Sequence, residues 1–337
     1  MVRSTQTLFI ADFSNNRIRK IGSDGMVSTY AGSGVQGFAD GAGDSAQFNN
    51  PRAVVVDSSG IVYVSDTYNH CIRRIAIDRT VSTFAGLCQT SGSTNGVGTA
   101  ARFFEPAGIA IDQTGSNLFI AGHADAKIRK IVISSATVST FAGGASMGSA
   151  DGQGTSASFN YPFDVAFNKS GHLFVADKDN HRIRIISPSG YVTTFAGSSQ
   201  GLTDGQGTSA KFSTPSGLAI DDNGFIYVAD YNNQAIRKVS PSGYVTKIVN
   251  SRNTMGDQRG PAMKASFMNP IGIDVDANDT IYVADDNSHK LEIICNSTCV
   301  NGIMNCFSKT CICDKGWSGA TCGTPIPRIT TTTTSKF

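Results

Sequence analysis

The side chains that could support metal or acid–base chemistry are few, and most fall at regular positions. There are five histidines: His70, His123, His172, His181 and His289. Three of them, His70, His181 and His289, share one column of a recurring pattern that holds Asn16, Ala126 and Gln234 in its other copies. Zinc takes two to four His and carboxylate ligands, so histidines converging on one zone would suit a hydrolase or lyase. This column, however, lies in a polar loop of each copy, and successive copies are held a whole structural unit apart. His123 and His172 lie elsewhere, with no partner in the pattern. Glu105 precedes Pro106 where an apolar strand begins, a position held by Asn50, Tyr161, Thr214 and Asn269 in other copies. Calcium wants six or more oxygens, and one acid with two Asn is a thin set. The basic column Arg19, Arg73, Arg129, Arg184 and Arg237 follows an acidic column by seven residues, so four Asp–Arg pairs are expected across one hairpin. At a surface each would contribute about 0–1 kcal/mol, more in a network. Gly122 leaves Arg129 without its acid, and Glu292 puts a like charge against Asp285. No Ser-His-Asp order, P-loop or dinucleotide fingerprint stands between a strand and a helix. Catalytic, cofactor and metal residues are therefore all expected to be none.

The elements that carry these columns form an internal repeat. LFIADFSNNRIRKI at Leu8 returns as VYVSDTYNHCIRRI at Val62, LFIAGHADAKIRKI at Leu118, LFVADKDNHRIRII at Leu173, IYVADYNNQAIRKV at Ile226 and IYVADDNSHKLEII at Ile281. The anchor column reads Asp12, Asp66, Gly122, Asp177, Asp230 and Asp285, spaced by 53 to 56 residues. Within a copy, an apolar run such as Ala53–Asp57 predicts an inner strand, followed by a Ser-Ser-Gly turn. A second strand then runs into the anchor Asp, a third follows a polar loop (Ile72–Ile75), and a fourth reads Val81–Gly86. Short strands rich in Val, Ile, Tyr and Phe, bounded by Gly, Asn and Asp, predict antiparallel meanders. Six meanders of four strands predict an all-β, six-bladed β-propeller, whose blades bury their faces by radial stacking. The linkers carry Phe48/Pro51, Phe159/Pro162, Phe212/Pro215 and Phe267/Pro270: Phe is expected to plug the space between blades and Pro to open the next inner strand.

The Asp-x-x-Asn-His-x-Ile-Arg pattern (Asp66 to Arg73, Asp177 to Arg184), with its Asp-Gly-x-Gly…Phe…Pro linker, resembles the NHL repeat over residues 1–294. The resemblance implies a fold, not an activity. More distantly, the family is similar to the zinc lyase that completes peptide amidation, and the fold to calcium-dependent lactonases. A metal-dependent hydrolase or lyase with an axial site is therefore the alternative reading. NHL propellers of the tripartite-motif class bind RNA on a basic face. Here Lys plus Arg number 28 against 26 acids, so no nucleic acid is expected.

Six of the eight Cys fall between Cys295 and Cys322. Cys311-Ile-Cys313, then eight residues with Trp317 and Gly319, then Cys322 resembles the C-terminal half of an EGF-like module, placed at 295–323. The resemblance implies the pairs Cys295–Cys306, Cys299–Cys311 and Cys313–Cys322. A zinc cluster is the weaker reading, since paired Cys-x-x-Cys arms are missing. No calcium is expected there, because His289-Lys290-Leu291 replaces the acidic stretch. Cys71 and Cys88 are expected to meet across the hairpin near Asp78-Arg79 as a fourth bridge. Asn168-Lys-Ser, Asn278-Asp-Thr and Asn296-Ser-Thr fit the glycosylation sequon, agreeing with an oxidising compartment. Residues 324–337, with five consecutive Thr, read as a disordered, stalk-like tail.

Composition supports this reading. Hydrophobic residues are 40% and charged residues 16%, enough to bury a core; Glu is confined to two positions, pointing away from helices. No apolar run reaches membrane-spanning length, and the start lacks a signal peptide. Counting back from Asp12, Met1 falls inside an inner strand, so the first blade is expected to be truncated, with leader and anchor elsewhere. The combination resembles teneurin ectodomains. It implies an extracellular or cell-surface scaffold that binds a protein or glycan on a propeller face, meeting a membrane only through a missing anchor.

Overall fold

The computed structural model describes residues 7–249, 267–277 and 279–294, together with the backbone of four short strands beyond them. The described residues form six antiparallel sheets arranged as blades. Blade 2 shows the basic plan: Pro51–Val56, Val62–Asp66, Cys71–Ile75 and Val81–Ala85, in that order from inner to outer edge. Registers are regular, as in Val62↔Ile75 and Asp66↔Cys71, because each second strand alternates over five residues and ends at the anchor Asp. The second strand Leu173–Asp177 is buried at every residue, since a neighbouring blade covers each face. Small and branched residues suit that double burial.

Blades 3, 4 and 5 carry a fifth strand that the four-strand plan did not include. Gly96–Val97, Gly152–Gln153 and Gly205–Gln206 each pair with the outer strand of the blade they lead into. The linker thus crosses the outer edge of the next blade before descending to its inner strand. On the way it buries one Phe. Phe48, Phe103, Phe159, Phe212 and Phe267 are 0–2% exposed, one in each of five apolar clusters between successive blades. The expected plug is therefore present in each described seam, and Phe103 joins the four Phe anticipated.

Turns between first and second strands are closed by side chains. Asp57 Oδ1 accepts from the amides of Ser59 and Ile61, and Asp112 and Asp221 act alike. Asn168 takes this place in blade 4: its Oδ1 accepts from Ser170 N and His172 N. His172 Nδ1 lies 3.1 Å from Ser170 Oγ in the same turn. Asn278 and Asn296 lie outside the described residues.

Cys71 and Cys88 are joined by a disulfide, with Cα atoms 5.0 Å apart. Beyond the propeller, the backbone forms two hairpins, Gly302–Asn305 with Thr310–Cys313 and Trp317–Ser318 with Thr324–Pro325. The side chains of residues 295–323, and with them the expected EGF-like pairing of Cys295, Cys299, Cys306, Cys311, Cys313 and Cys322, lie outside the described residues, as does most of the tail at 324–337. No helix among the described residues is long and apolar enough to cross a membrane.

Candidate functional site

The signature residues act as fasteners. Asp66 Oδ2 accepts from Arg73 Nη1 (2.8 Å) and Asn69 Nδ2 (2.8 Å), while Oδ1 accepts from the amide of Asn49 in the linker (2.8 Å). Arg73 also donates to the linker carbonyls of Gln47 and Ala39 and to Asp40. Its guanidinium lies 5.2 Å from the centre of the Phe48 ring. Asp177, Asn180 and Arg184 repeat this arrangement, as do Asp230, Asn233 and Arg237. Three of the four expected Arg–Asp pairs are thus formed, and they are fully buried, so the small energy of a surface pair does not apply to them. Burial pushes Asp230 up to about 6, opposed by Asn233 and Arg237, so it stays ionised at neutral pH. In blade 1, Asp12 accepts from Asn15 and Arg19 donates to Thr29.

Two copies depart from this arrangement, and one of them differs from expectation. Gly122 does not leave Arg129 without an acid. Asp125, three residues on, brings a carboxylate oxygen to 3.6 Å from Arg129 Nη1. A Cβ at 122 would sit 1.9 Å from Asp125 Oδ1, so glycine makes room for the displaced acid. In blade 6 the register matches the other blades, with Asp285 opposite Lys290 and Glu292 opposite Val283, so Glu292 takes the place of the arginine. Asp285 keeps its hold on the linker, accepting from Met268 N (2.8 Å).

The histidine column has a backbone role. His70, His181 and His289 have φ of 54–56°, as the left-handed residues that end the loop turn. Asn and His tolerate this region better than most side chains. His70 Nδ1 accepts from Glu105 N (3.2 Å) and His181 Nδ1 from Thr214 N (3.1 Å), each in the next blade. Asn16 Oδ1 does the same for Asn50 N (2.9 Å). Burial lowers both histidines below their usual range, keeping the accepting nitrogen unprotonated. The Glu105 column is left-handed as well, with φ of 50–72° at Asn50, Glu105, Tyr161, Thr214 and Asn269. Among the described residues no group of three His, Cys, Asp or Glu could hold a metal ion.

Deeper along the inner strands, Asp164 ties neighbours together. Its Oδ2 accepts from Leu218 N and its Oδ1 from Val165 N, both at 2.9 Å. Burial raises it to about 7. A Cβ at Gly108 would sit 2.2 Å from its Oδ1.

The non-repeating residues gather where the loops and inner-strand starts meet, at one mouth of the propeller. Arg52 of blade 2 lies 5.0 Å from the Phe13 ring of blade 1 and 4.9 Å from the Phe163 ring of blade 4. Lys178 Nζ is 5.2 Å from the same Phe163 ring. His123 of blade 3 packs 5.6 Å from Phe163 and 5.0 Å from Tyr161. Burial, then the charges of Arg52 and Lys178, push His123 down to about 4. Burial also lowers Arg52 and Lys178. The carboxylates of Glu105 and Asp286 lie near enough to favour the charge of Arg52, and the ring and cation contacts of this zone join blades 1 to 4. Tyr68 on the rim is 43% exposed. Sequence reasoning named Glu105 and noted His123, but missed Arg52, Phe163 and Lys178. They stand in columns filled by unlike residues, and only the departure from the repeat marks them.

Three segments, residues 48–75, 159–186 and 212–239, match the sequence profile of the NHL repeat. NHL repeat-containing protein 2 of Bos taurus is 30% identical over 267 residues, covering 68% of this chain and 37% of that protein. The Arabidopsis thaliana protein SUPPRESSOR OF QUENCHING 1, chloroplastic, is 28% identical over 248 residues, covering 69% of this chain and 24% of that one. Teneurin-4 of Mus musculus is 26% identical over 279 residues, covering 68% and 10%. An auxiliary nutrient binding protein of Bacteroides thetaiotaomicron superposes with a TM-score of 0.64 at 14% identity, covering 85% of this chain and 66% of that one, a likeness of fold alone. The chain thus spans just over a third of the bovine relative and a tenth of teneurin-4. It is a six-bladed propeller built of NHL repeats.

Proposed function

We propose that this protein is a binding scaffold at the cell surface or outside the cell, recognising a protein or glycan through the loop face around its axial mouth. The observation that carries the reading is the convergence of unlike side chains from blades 1 to 4 on that mouth, over a frame whose repeated polar residues are spent on fastening blades. A rigid frame presenting variable loops is how propellers bind without making bonds. The Cys71–Cys88 disulfide and the similarity to teneurin-4 support the extracellular setting, although the similarity to a chloroplast protein shows that related propellers are not confined to it.

The test is binding of the oxidised full chain to arrayed ectodomains and glycans, alongside a variant with Tyr68 and Phe104, the ring beside Glu105 that packs 5.7 Å from His70, changed to Ser. These two rings are 43% and 38% exposed, so their loss should spare folding. Binding that falls at least tenfold in the variant supports the mouth face; binding that is unchanged places the ligand elsewhere. Metal content separates this reading from an axial hydrolase or lyase. Substoichiometric zinc and calcium after desalting are expected, and one tightly held equivalent would move the enzyme reading ahead.

A further inference from the structure

Arg52, which is partly buried, differs from the four fully buried arginines of the propeller. Arg73, Arg129, Arg184 and Arg237 each donate from their Nη atoms to linker carbonyls and to an Asp or Asn oxygen. Arg52 is flanked by two aromatic rings, with no hydrogen bond or ion pair to a described residue and its Nε buried without an acceptor. Lys178 has the same character: it lies against the Phe163 ring and has no acceptor among the described residues. His123 Nδ1, on that ring's other contact, is also buried without a partner. Two cations thus share one phenyl ring without an acceptor among the described residues, beside an imidazole with one unpartnered nitrogen. Holding two cations together, half out of water, is unfavourable unless something compensates them. Glu105 and Asp286 attract Arg52, but neither forms an ion pair with it at 4 Å or less.

We infer that this cluster is a receptor for a single carboxylate, an acidic side chain or chain end of a protein partner, held by the edge of the Arg52 guanidinium with Lys178 beside it. The inference rests on the reading that the mouth face binds. A guanidinium flanked by rings leaves its N–H fork free for an in-plane, two-pronged contact, the geometry a carboxylate fits. Glu105 and Asp286 leave the mouth little net positive charge, so a single carboxylate on the Arg52 fork suits it, while a polyanion such as RNA or a sulfated polysaccharide is repelled. The surroundings select a peptide. Phe13, Phe163, Tyr161 and Tyr68 line the zone, and Tyr with Arg is the composition of protein-binding hot spots. A sialylated sugar would need partners for many hydroxyls, which these rings do not supply.

The experiment selects peptides from a random displayed library on the oxidised full chain, then compares wild type with Arg52→Gln, Arg52→Lys and Lys178→Gln. Circular dichroism and melting confirm that each variant folds. Enrichment of Asp, Glu or a free C-terminus is expected. Affinity for a selected peptide should fall roughly tenfold or more in Arg52→Gln, since hydrogen bonds to charged groups are the strong ones. Arg52→Lys should recover part of the loss, and the isosteric Asn or Gln peptide should bind as weakly to wild type as the acidic one does to Arg52→Gln. Selected peptides without acidic enrichment, or acidic peptides indifferent to Arg52, overturn the carboxylate site while leaving the mouth as a binding face. Sialyllactose bound through Arg52 in place of peptides overturns the choice of partner. Steeply salt-dependent capture of heparin or RNA overturns the monoanion. No ligand of any kind at this face, on either array or library, removes the binding reading itself.

Discussion

A guanidinium that loses its carboxylate inside a protein is left as an uncompensated charge, so the repeated Arg–Asp pair should be sensitive to truncation of either partner. Asp177→Ala is expected to lower stability by about 3–5 kcal/mol in urea unfolding, because Arg184 is fully buried and keeps only its carbonyl partners and Asp151. Gly122→Ala should cost about 1–3 kcal/mol by forcing a methyl into the carboxylate of Asp125, and most of that loss should vanish in an Asp125→Ala background. His123 gives a pH dependence. Its folded value of about 4 lies below the ordinary 6.5, so the unfolded chain binds the extra proton between those values. Its stabilising contribution is complete above pH 6.5 and is lost as pH falls toward 4, by about 2–3 kcal/mol. His123→Gln should flatten the stability curve in that window. The anchor Asp and Arg were legible in the sequence because repetition exposes a column. Their burial was not, since a Phe ring and linker carbonyls dozens of residues away create it. Asp125 was hidden because it occupies the space of its neighbour's missing side chain, and spacing alone cannot show that.

At the scale of elements, the seams between blades hold the core. Phe212→Ala should cost about 3–5 kcal/mol, as its ring fills a seam with 0% exposure and also backs Arg237 at 5.1 Å. Reducing the Cys71–Cys88 bridge, which closes a separation of 17 residues, should cost about 3 kcal/mol, visible as a lower midpoint in denaturant with reductant present. The strands were legible because each has a short apolar run and a turn closed by Asp or Gly. The fifth strands were not: Gly152–Gln153 and its relatives are two residues long and read as linker turns. What makes them strands is the outer edge they meet, which belongs to chain some forty residues later.

For the whole molecule, successive blades bring residues of unlike type together, and the mouth they form cannot be found by counting columns. The repeat gave the fold and the number of blades. The assembly of Arg52, Phe163, Lys178 and His123 needed the curvature of the ring to bring three blades together. The amides of Glu105 and Thr214 are held by histidines of the preceding blade, whereas that of Asn50 is held by an asparagine. An imidazole that takes up a proton can no longer accept at Nδ1, although Glu105 beside His70 and Asp179 beside His181 favour that proton. Acid should therefore unfasten the joints after blades 2 and 4 and spare the joint after blade 1. Hydrogen exchange would show this as earlier loss of protection at 105 and 214 than at 50. His70→Asn with His181→Asn, which keeps a short acceptor suited to the left-handed turn, should make all three joints respond alike. The order in which such a ring comes apart on acidification is then written in which residue ends each loop.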